Sequence, residues 1–463
     1  MSAPGTGGDT TGGFAMAVEM CNNNGHCRKF DAGTMCPSYR VTRDEQHGTR
    51  GRANTLRLAL SGQLGEAGLE ADATGDGADA LTGDAVAEAL DLCVGCKGCK
   101  RDCPTGVDMA RMKIEVAAQR AARHGTPLLQ RLIAALPAWG HHASRWPAIA
   151  NLRDALPGAA TLSERWFGLS AKRRLPRFRR DTFWRKHEAF RFANATQTIA
   201  AAKDGGKAAV LFVDTFNGLF ESENAHAAAR VLHAAGYTLH TVRRAGGGHH
   251  CCGRTWLTAG LVDEARARLG ALIDALHPLA EAGIAIVGLE PSCLYTLRDE
   301  ALVLGLGERA EVVAKQALLF EEFVAREAKA GRFTLPGLNA LASRNGQPRA
   351  LLVHGHCHQK AFGAMAPVLE VLKLIPGARP ELIESSCCGM AGSFGYEAKH
   401  HDISMRMAEA NLLPAVRAAA DDAVVVADGT SCRCQIADGT KREAVHAARL
   451  LAALLPQGGR RAS

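Results

Sequence analysis

The sequence predicts an α+β protein in which a mostly helical, cysteine-rich module precedes two copies of an α/β unit with a parallel sheet. Three observations predict this architecture. Four cysteines crowd into one loop near residue 100, apolar strands alternate with amphipathic helices from about residue 205, and the order of these strands, helices and cysteines occurs twice. Strands that alternate with helices imply parallel sheets, so both copies are expected to have one.

The cysteine loop runs Cys93-Val-Gly-Cys96-Lys-Gly-Cys99-Lys-Arg-Asp-Cys103-Pro104. Its spacing matches the bacterial iron–sulfur run in which three cysteines bind one cluster and the fourth binds another. A zinc site needs fewer sulfurs and usually has two separated C-x2-C pairs. Iron–sulfur ligation is therefore favoured over zinc or a structural thiol cluster.

Length and composition bound the rest of the chain. The 463 residues suffice for two to four domains, and 47% apolar with 22% charged residues is typical of a globular protein. No run of eighteen apolar residues occurs, and the first 13 residues lack the apolar centre of a signal peptide. We expect a cytoplasmic protein, peripheral at most at the inner face of the membrane. In that compartment its fifteen cysteines favour metal ligation over disulfides.

An incomplete second motif precedes the loop. Cys21, Cys27 and Cys36-Pro37 take the first, third and fourth ligand positions, and Asn24 stands where the second cysteine is expected. Crossover ligation then gives one [4Fe–4S] cluster to Cys93, Cys96, Cys99 and Cys36. The remaining thiolates, from Cys21, Cys27 and Cys103, would hold a [3Fe–4S] cluster, or a [4Fe–4S] cluster with a non-cysteine ligand.

Three alternatives stay open for this second centre. Asn24 and His26 are candidate fourth ligands, but Asn24 is favoured slightly as a residue that only makes turn hydrogen bonds. A protein with a single cluster and a structural first motif is also compatible with the spacing.

The surrounding residues predict helices. Apolar positions recur at helical spacing in residues 54–60, in a short segment that begins at Asp84, and after Pro104, so each of these is predicted to be a helix. Residues 61–83 show no sustained period and are expected to form a surface connector. These patterns predict a flexible tail over residues 1–15 and a ferredoxin-like iron–sulfur domain over residues 16–124.

Residues 125–204 are predicted to form a basic, tryptophan-rich helical linker. Four of the five tryptophans lie here, together with the basic run from Lys172 to Arg180, and prolines divide the segment into short helices. A clasp between domains or a surface for a partner protein is favoured over contact with an anionic membrane, because no continuous apolar face of useful length is visible. Nucleic-acid binding is not expected.

The two α/β units are predicted over residues 205–335 and 336–463. Strands are expected near 208–213, 237–242 and 284–289 in the first copy, and near 350–353, 381–383 and 423–427 in the second. Cysteines follow the strand ends, which is the edge of an open α/β sheet where ligands bind.

Each copy contains Cys-Cys-Gly. The first offers Cys251, Cys252 and Cys293, with His249 or His250 as supplements; the second offers Cys357, Cys387, Cys388, Cys432 and Cys434. A helix beginning at Cys-Cys-Gly would favour thiolates, and the glycine would allow close approach of the backbone. Both copies are predicted metal sites, and buried structural cysteines are the alternative.

These motifs resemble the iron–sulfur part of FAD-linked D-2-hydroxyacid dehydrogenases that oxidise D-lactate, glycolate or D-2-hydroxyglutarate. The resemblance rests on C-N-N-N-G-x-C-R-K, M-C-P-S-Y, the cysteine loop, two C-C-G units, E-P-S-C, H-G-H-C-H-Q-K and D-G-T-S-C. The C-C-G units are also similar to heterodisulfide reductase and to the iron–sulfur subunit of anaerobic glycerol-3-phosphate dehydrogenase. The resemblance implies a further iron–sulfur cluster, or zinc, in the CCG units.

The resemblance also implies an electron-transfer role. Relatives of this type commonly carry a flavin domain, and this sequence shows no dinucleotide-binding fingerprint or P-loop. We therefore expect the chain not to be catalytically complete alone, with FAD in a partner flavoprotein or in a missing N-terminal domain, and a quinone or other carrier as acceptor. The alternatives are a thiol–disulfide reductase that uses the CCG site, and a zinc-stapled structural module.

Overall fold

The computed structural model describes residues 13–30, 33–64, 77–186, 192–244, 248–341 and 349–456. Most of the predicted tail and part of the predicted connector over residues 61–83 lie outside these ranges. The fold class agrees with the prediction: a helical module precedes two small parallel sheets.

The N-terminal module is helical in its described residues. Helix α5 buries Val86, Ala89 and Leu90, the three apolar positions that predicted it. Helix α7 begins after Asp108, whose carboxylate accepts the Arg111 N–H at 3.2 Å and so caps the helix. The helices are α1 (Phe14–Glu19), α2 (Pro37–Thr42), α3 (Thr49–Leu60), α4 (Gly77–Thr82), α5 (Asp84–Asp91), α6 (Gly98–Asp102) and α7 (Met109–His124).

Short helices make up the described part of the linker. Pro137 and Pro147 lie in first turns, where the missing N–H costs no helical hydrogen bond. The helices are α8 (Leu128–Ala134), α9 (Leu136–Ala143), α10 (Pro147–Ala150), α11 (Leu152–Ala155), α12 (Ala159–Phe167), α13 (Phe183–Lys186) and α14 (Ala195–Lys203).

The first α/β unit contains four parallel strands in the order β2-β1-β3-β4. Helix α14, within the range predicted as linker, packs on β1 and β2. The elements are β1 (Ala208–Phe212), α15 (Thr215–Leu219), α16 (Ser222–Ala234), β2 (Thr238–His240), α17 (Arg254–Thr258), α18 (Val262–Glu281), β3 (Ala285–Gly288), α19 (Pro291–Arg298), α20 (Glu308–Gln316), β4 (Ala317–Leu319) and α21 (Phe320–Lys329).

The second unit repeats this topology with strand order β6-β5-β7-β8, again parallel. The fourth strand of each sheet was not predicted, because Ala317–Leu319 lies directly between two helices without a turn, and Ala444–Val445 is only two residues long. The elements are β5 (Leu351–Val353), α22 (Cys357–Ala361), α23 (Met365–Leu372), β6 (Pro380–Leu382), α24 (His401–Glu409), α25 (Leu412–Ala418), β7 (Val424–Val426), α26 (Thr430–Thr440), β8 (Ala444–Val445) and α27 (Ala447–Leu454).

The two units share a core. Helix α16 packs against α27, and α21 packs against α23. Because α16 and α23 follow the first strand of their units and α21 and α27 follow the fourth, the two contacts are equivalent under an approximate twofold relation. One cluster of buried apolar residues runs through both units, from Val231 and Phe323 to Val371 and Leu451. Among the described helices, none has the length and apolar character to cross a membrane.

Candidate metal centres

A cavity in the N-terminal module is lined by the four thiols that the sequence assigns to one cluster: Cys36, Cys93, Cys96 and Cys99. Cys36 precedes α2, and its sulfur accepts the Thr49 N–H at 3.1 Å. Four sulfurs around one cavity are the donor set of a [4Fe–4S] cluster, so these residues fit that group. Their assignment as its ligands stays a prediction.

Burial shapes the chemistry of these thiols. It raises the pKa of Cys99 to about 12 and that of Cys96 well above the ordinary value. Cys96 and Cys99 therefore hold their protons at neutral pH until a metal displaces them. Arg52 lines the same cavity, and it is held by the Ala89 carbonyl at 2.9 Å and the Ser38 hydroxyl at 2.8 Å. A fixed cation there favours thiolate ligation.

Lys97, between two of these cysteines, ties the loop to the first α/β unit. Its side chain is buried and forms ion pairs with Asp299 and with Glu300, the latter at 2.9 Å. Arg254 also pairs with Glu300, at 2.5 Å. These carboxylates outweigh the effect of burial and raise the pKa of Lys97, so its charge persists. No sequence motif marks this contact.

The cysteines of the incomplete first motif lie in the same hydrophobic core as Cys99 and Cys103 of the cysteine loop. Cys21, Cys27 and Cys103 are all buried. The Cys36 thiol lowers the pKa of Cys27 to about 6, so these two sulfurs are neighbours. The assignment of Cys21, Cys27 and Cys103 to a second cluster stays a prediction.

Asn24 behaves as a turn residue. Its side-chain oxygen accepts the His26 N–H at 2.8 Å, and its amide donates to the Asn22 side chain at 2.6 Å. Asn24 is exposed, whereas the three cysteines of this motif are buried. These contacts match the turn alternative, and they engage the amide oxygen that a metal would need.

Four thiols converge at the carboxyl edge of the second sheet. The Cys387 thiol neighbours the thiols of Cys357 and Cys388, and the Cys388 thiol neighbours that of Cys432. His354 approaches the same group, since its ring, Cys388 and Cys432 offer ligand atoms within 4.8 Å of one another. His354 itself is oriented by the Ser385 hydroxyl at 2.9 Å. This donor set fits an iron–sulfur cluster or zinc.

Cys434 lies apart from these four thiols. Cys432 and Cys434 are two residues apart on α26, which places them on opposite faces of the helix. The Cys434 thiol instead contacts the Tyr396 hydroxyl, and burial raises its pKa to about 11. The structure thus brings together four of the five thiols predicted for this unit.

Arg433, between these cysteines, was missed by the sequence analysis. It donates to both carboxylate oxygens of Glu221 at 2.8 and 2.5 Å, and to the carbonyls of Ala427 and Asp428 at 2.8 and 2.7 Å. These contacts fix the loop that presents Cys432, and Glu221 comes from the first unit. Only the fold brings these residues together, so no local signal could have found the pair.

The first unit holds a smaller set of donors. The Cys252 thiol neighbours the thiols of Cys251 and Cys293. Where the second unit has Cys357 as the first residue of α22, the first unit has Thr215 as the first residue of α15. The Asp214 carboxylate caps α15 and accepts the Asn217 amide at 2.6 Å. His249 is 3.1 Å from the Thr215 hydroxyl, and burial lowers its pKa to about 4, which leaves a neutral imidazole. Three thiols with a nearby imidazole fit zinc at least as well as a cluster.

The two Cys-Cys-Gly loops differ in one expected feature. Gly253 is the cap of α17, as predicted, but Gly389 leads into turns and a 3-10 helix, so the α-helix expected directly after it does not form in these described residues. Close backbone approach holds in both: a Cβ at Gly253 would lie 2.9 Å from the Ala265 carbonyl oxygen, and one at Gly389 would lie closer still to that of Ser404. Both glycines have positive φ, near 80°.

The cavity of the N-terminal module and the thiols of the second unit are adjacent. His358 Nε2 lies 3.1 Å from the Gly95 carbonyl oxygen, and the Ser386 hydroxyl donates to the Thr34 carbonyl at 3.0 Å. Each contact joins a residue beside a cysteine of one site to a loop of the other. Cys357 also acts electrostatically on Cys96. The two donor sets therefore face each other across a single interface.

The linker divides into a clasp and an exposed surface. The Ser170 N–H donates to the Tyr396 carbonyl at 2.7 Å, and buried Arg173 pairs with Asp438 at 3.0 Å, so this part clasps the second unit. Helices α8 to α12 instead expose ten large apolar side chains: Leu128, Leu132, Trp139, Trp146, Ile149, Leu152, Leu156, Leu162, Trp166 and Phe167. We call these ten the apolar surface of α8–α12.

Comparison with known proteins follows this geometry. Residues 17–107 match the family model of the 4Fe-4S dicluster domain, and residues 351–437 match that of the cysteine-rich domain. The chain therefore combines a ferredoxin-type iron–sulfur module with a CCG domain. No solved structure matches it.

Three relatives refine this class. D-2-hydroxyglutarate dehydrogenase of Escherichia coli (strain K12) is 26% identical over 90% of this chain and 41% of its own length. One subunit of the anaerobic glycerol-3-phosphate dehydrogenase from the same strain is 26% identical over 66% of this chain and 72% of its own. The iron-sulfur subunit of the glycolate oxidase of that strain is 24% identical over 89% of both.

The resemblance to the iron–sulfur part of FAD-linked dehydrogenases is thereby confirmed. The chain spans about two fifths of the length of the D-2-hydroxyglutarate dehydrogenases that it matches. One of these relatives, the glycolate oxidase subunit, is an iron–sulfur subunit, and this similarity supports an electron-transfer role.

Proposed function

We propose that this chain relays electrons within an FAD-dependent D-2-hydroxyacid dehydrogenase, from a flavin in a partner polypeptide or further domain to a quinone or another acceptor. The observation that carries this proposal is the contact between the two thiol sets, through His358 and Gly95. Iron–sulfur clusters, when bound at these sites, accept and release single electrons. Adjacent clusters can pass them on without a mobile carrier.

The residues of this chain have three tasks in the proposed relay. The thiols of the N-terminal cavity and of the second unit hold the clusters. Lys97 and Arg433 fix the two loops that present those thiols. The cations beside the cavity, Arg52 and Lys97, favour an anionic, reduced state of whatever the cavity binds.

Two measurements test the relay. Anaerobically purified protein should contain iron and acid-labile sulfide for at least two clusters per chain, with EPR signals from both sites. Mixed with its flavoprotein partner, it should be reduced by a D-2-hydroxyacid and reoxidised by a quinone. A colourless protein that contains only zinc would refute the proposal and favour a structural module.

A thiol–disulfide reductase is the competing function. The location of Cys434 outside the group of four thiols favours it, because a free thiol in this unit is what such chemistry requires. The raised pKa of Cys434, about 11, opposes it, since the thiolate is the attacking species. Turnover of a mixed disulfide by the wild type, lost in Cys434→Ser, would favour the reductase over the relay.

We also propose peripheral contact with an anionic membrane through the apolar surface of α8–α12. Trp146 and Trp166 are 65% and 72% exposed, and exposed cations such as Arg145, Arg165 and Lys172 lie among or beside them. Exposed aromatic and basic residues together are typical of segments at a lipid interface. Such contact would bring the relay to a quinone.

Sedimentation with lipid vesicles tests this contact. The wild type should bind vesicles of anionic lipid and not those of neutral lipid, and Trp146→Ser with Trp166→Ser should reduce binding at least tenfold. The control is Leu382→Ser, because Leu382 is an exposed apolar residue on β6 in the second unit. Trp256→Ser is not suitable, because Trp256 is buried in the core of the first unit. Equal binding by wild type and the double variant would refute the contact.

A further inference from the structure

Three ionisable side chains that the relay does not use are buried together where the two α/β units meet. Glu321 follows β4, Asp428 follows β7 and His446 follows β8. Each offers a ligand atom within 4.8 Å of the other two. All three are buried, Glu321 and His446 completely. No cysteine or local motif marks them, because they come from both units.

This group contains more negative charge than its surroundings compensate. Asp428 accepts the Gln359 amide at 2.8 Å and the Ala447 N–H at 3.1 Å, both neutral donors. The positive charge of Arg433 favours the ionised form of Glu321, but Arg433 is already paired with Glu221. A buried charge without a partner is costly, so two carboxylates at this position call for a cation or for protons.

Glu321 carries the least compensated charge of the three. Among the described residues, neither of its carboxylate oxygens accepts a hydrogen bond from another residue. Burial, together with Asp428, raises the pKa of Glu321 well above its usual range. A proton on Glu321 would therefore need an acceptor within hydrogen-bond distance.

The distances favour an ion over a shared proton. His446 Nδ1 is 3.8 Å from Glu321 Oε1 and 3.7 Å from Asp428 Oδ1, which is too long for a hydrogen bond. Donors that each lie about 2.1 Å from a common metal are roughly 3 to 4.2 Å apart. Both distances from His446 Nδ1 lie in this range, as an ion shared by the three side chains would require.

The histidine is set up as a ligand. Its Nε2 lies 3.2 Å from the Leu289 carbonyl oxygen, to which it donates, so the lone pair is on Nδ1. A backbone carbonyl behind the distal nitrogen is the usual support of a metal-binding histidine. The Nδ1 lone pair accepts the Ala448 N–H at 3.1 Å, and a metal would take over this lone pair. His446 is therefore expected to be the weakest of the three ligands.

We propose that Glu321, Asp428 and His446 bind one divalent metal ion of the type that prefers oxygen and nitrogen ligands, such as Mn²⁺, and that this ion joins the two α/β units. The two carboxylates balance the 2+ charge of the ion, and the neutral imidazole adds a nitrogen ligand. Thiolate sites select iron–sulfur clusters or zinc, so Mn²⁺ distinguishes this site from the cysteine sites. The proposal does not depend on the relay.

The test is metal content after expression with added manganese(II). The full chain is purified anaerobically, and every divalent metal is counted per chain by mass spectrometry, with Mn²⁺ also observed by EPR. We expect about one Mn²⁺ in the wild type, at least tenfold less in Glu321→Gln, and an intermediate amount in His446→Gln. The matched control is Glu327→Gln, because Glu327 is a buried carboxylate of the same helix that is paired with Arg332 at 2.8 Å. This variant should keep the metal.

Unfolding temperature provides a second measurement. Glutamine mimics a protonated Glu321, so Glu321→Gln should leave the unfolding temperature nearly unchanged if a proton or water occupies the site. If a metal occupies it, the variant should unfold several degrees lower while its cluster absorbance stays intact. A wild type without a metal beyond cluster iron, or a metal count that Glu321→Gln does not change, would overturn the proposal.

Discussion

Removing the carboxylate charge of Glu221 should destabilise the junction of the two α/β units. The Glu221→Gln variant leaves the buried Arg433 guanidinium without its bidentate partner. Arg433 outweighs the effect of burial and lowers the pKa of Glu221 from 4.5 to about 2. At about 1.4 kcal/mol per pKa unit, this shift corresponds to about 3 kcal/mol. That value agrees with the 3–5 kcal/mol typical of breaking a buried pair.

The assay is guanidinium chloride unfolding of anaerobically purified protein, followed by far-UV circular dichroism. With a slope of roughly 6 kcal/mol per M, a loss of about 3 kcal/mol lowers the midpoint by about 0.5 M. Because the folded pKa lies below 4.5, the contribution of Glu221 is complete above that pH and is lost as pH falls towards 2. The difference between wild type and variant should therefore be constant from pH 8 to pH 5.5.

The matched control is Glu223→Gln. Glu223 lies two residues away and pairs with Arg179, but its side chain is 42% exposed. Exposed pairs contribute less than about 1 kcal/mol, so its midpoint should move by less than about 0.2 M. The reasoning is refuted if both variants shift equally, or if the effect of Glu221→Gln disappears between pH 8 and pH 5.5.

The remaining predictions concern the thiols and their supports. Cys103→Ser should diminish the EPR signal of the second N-terminal cluster more than that of the cluster in the cavity; equal loss of both would argue against crossover ligation. Cys432→Ser should lower the iron content, whereas Cys434→Ser should leave it unchanged, and iron loss in both would place Cys434 among the ligands. Lys97→Met removes a buried cation beside the cavity, so the midpoint potential of that cluster should fall in an EPR-monitored titration, and Lys97→Arg should restore part of it.

Local signals were sufficient for much of the fold. Strands β1 and β3 were predicted from their continuous apolar runs, and helices α5 and α7 from the helical spacing of their apolar residues. Strand β4 was missed because it lies directly between two helices, and β8 because it has only two residues. The helix expected directly after Gly389 was wrong because propensity does not encode the turns that the loop requires there.

The site divides in the same way. Cysteine spacing identified both N-terminal motifs and the Cys-Cys-Gly loops, because ligands close in sequence leave a recognisable pattern. Cys434 shows the limit of such patterns, since only the helical geometry of α26 separates it from Cys432. Lys97 with Asp299, and Arg433 with Glu221, left no pattern at all.

The sequence by itself determined the class of this protein: a helical iron–sulfur module, two copies of an α/β unit and the thiols that each contributes. The cause is that periodicity and ligand spacing are local properties. Only the tertiary structure decided that the thiols of the N-terminal cavity face those of the second unit, and that Glu321, Asp428 and His446 meet between the two copies. These contacts depend on packing between residues distant in the chain, and that packing is fixed by burial and charge compensation rather than by local sequence.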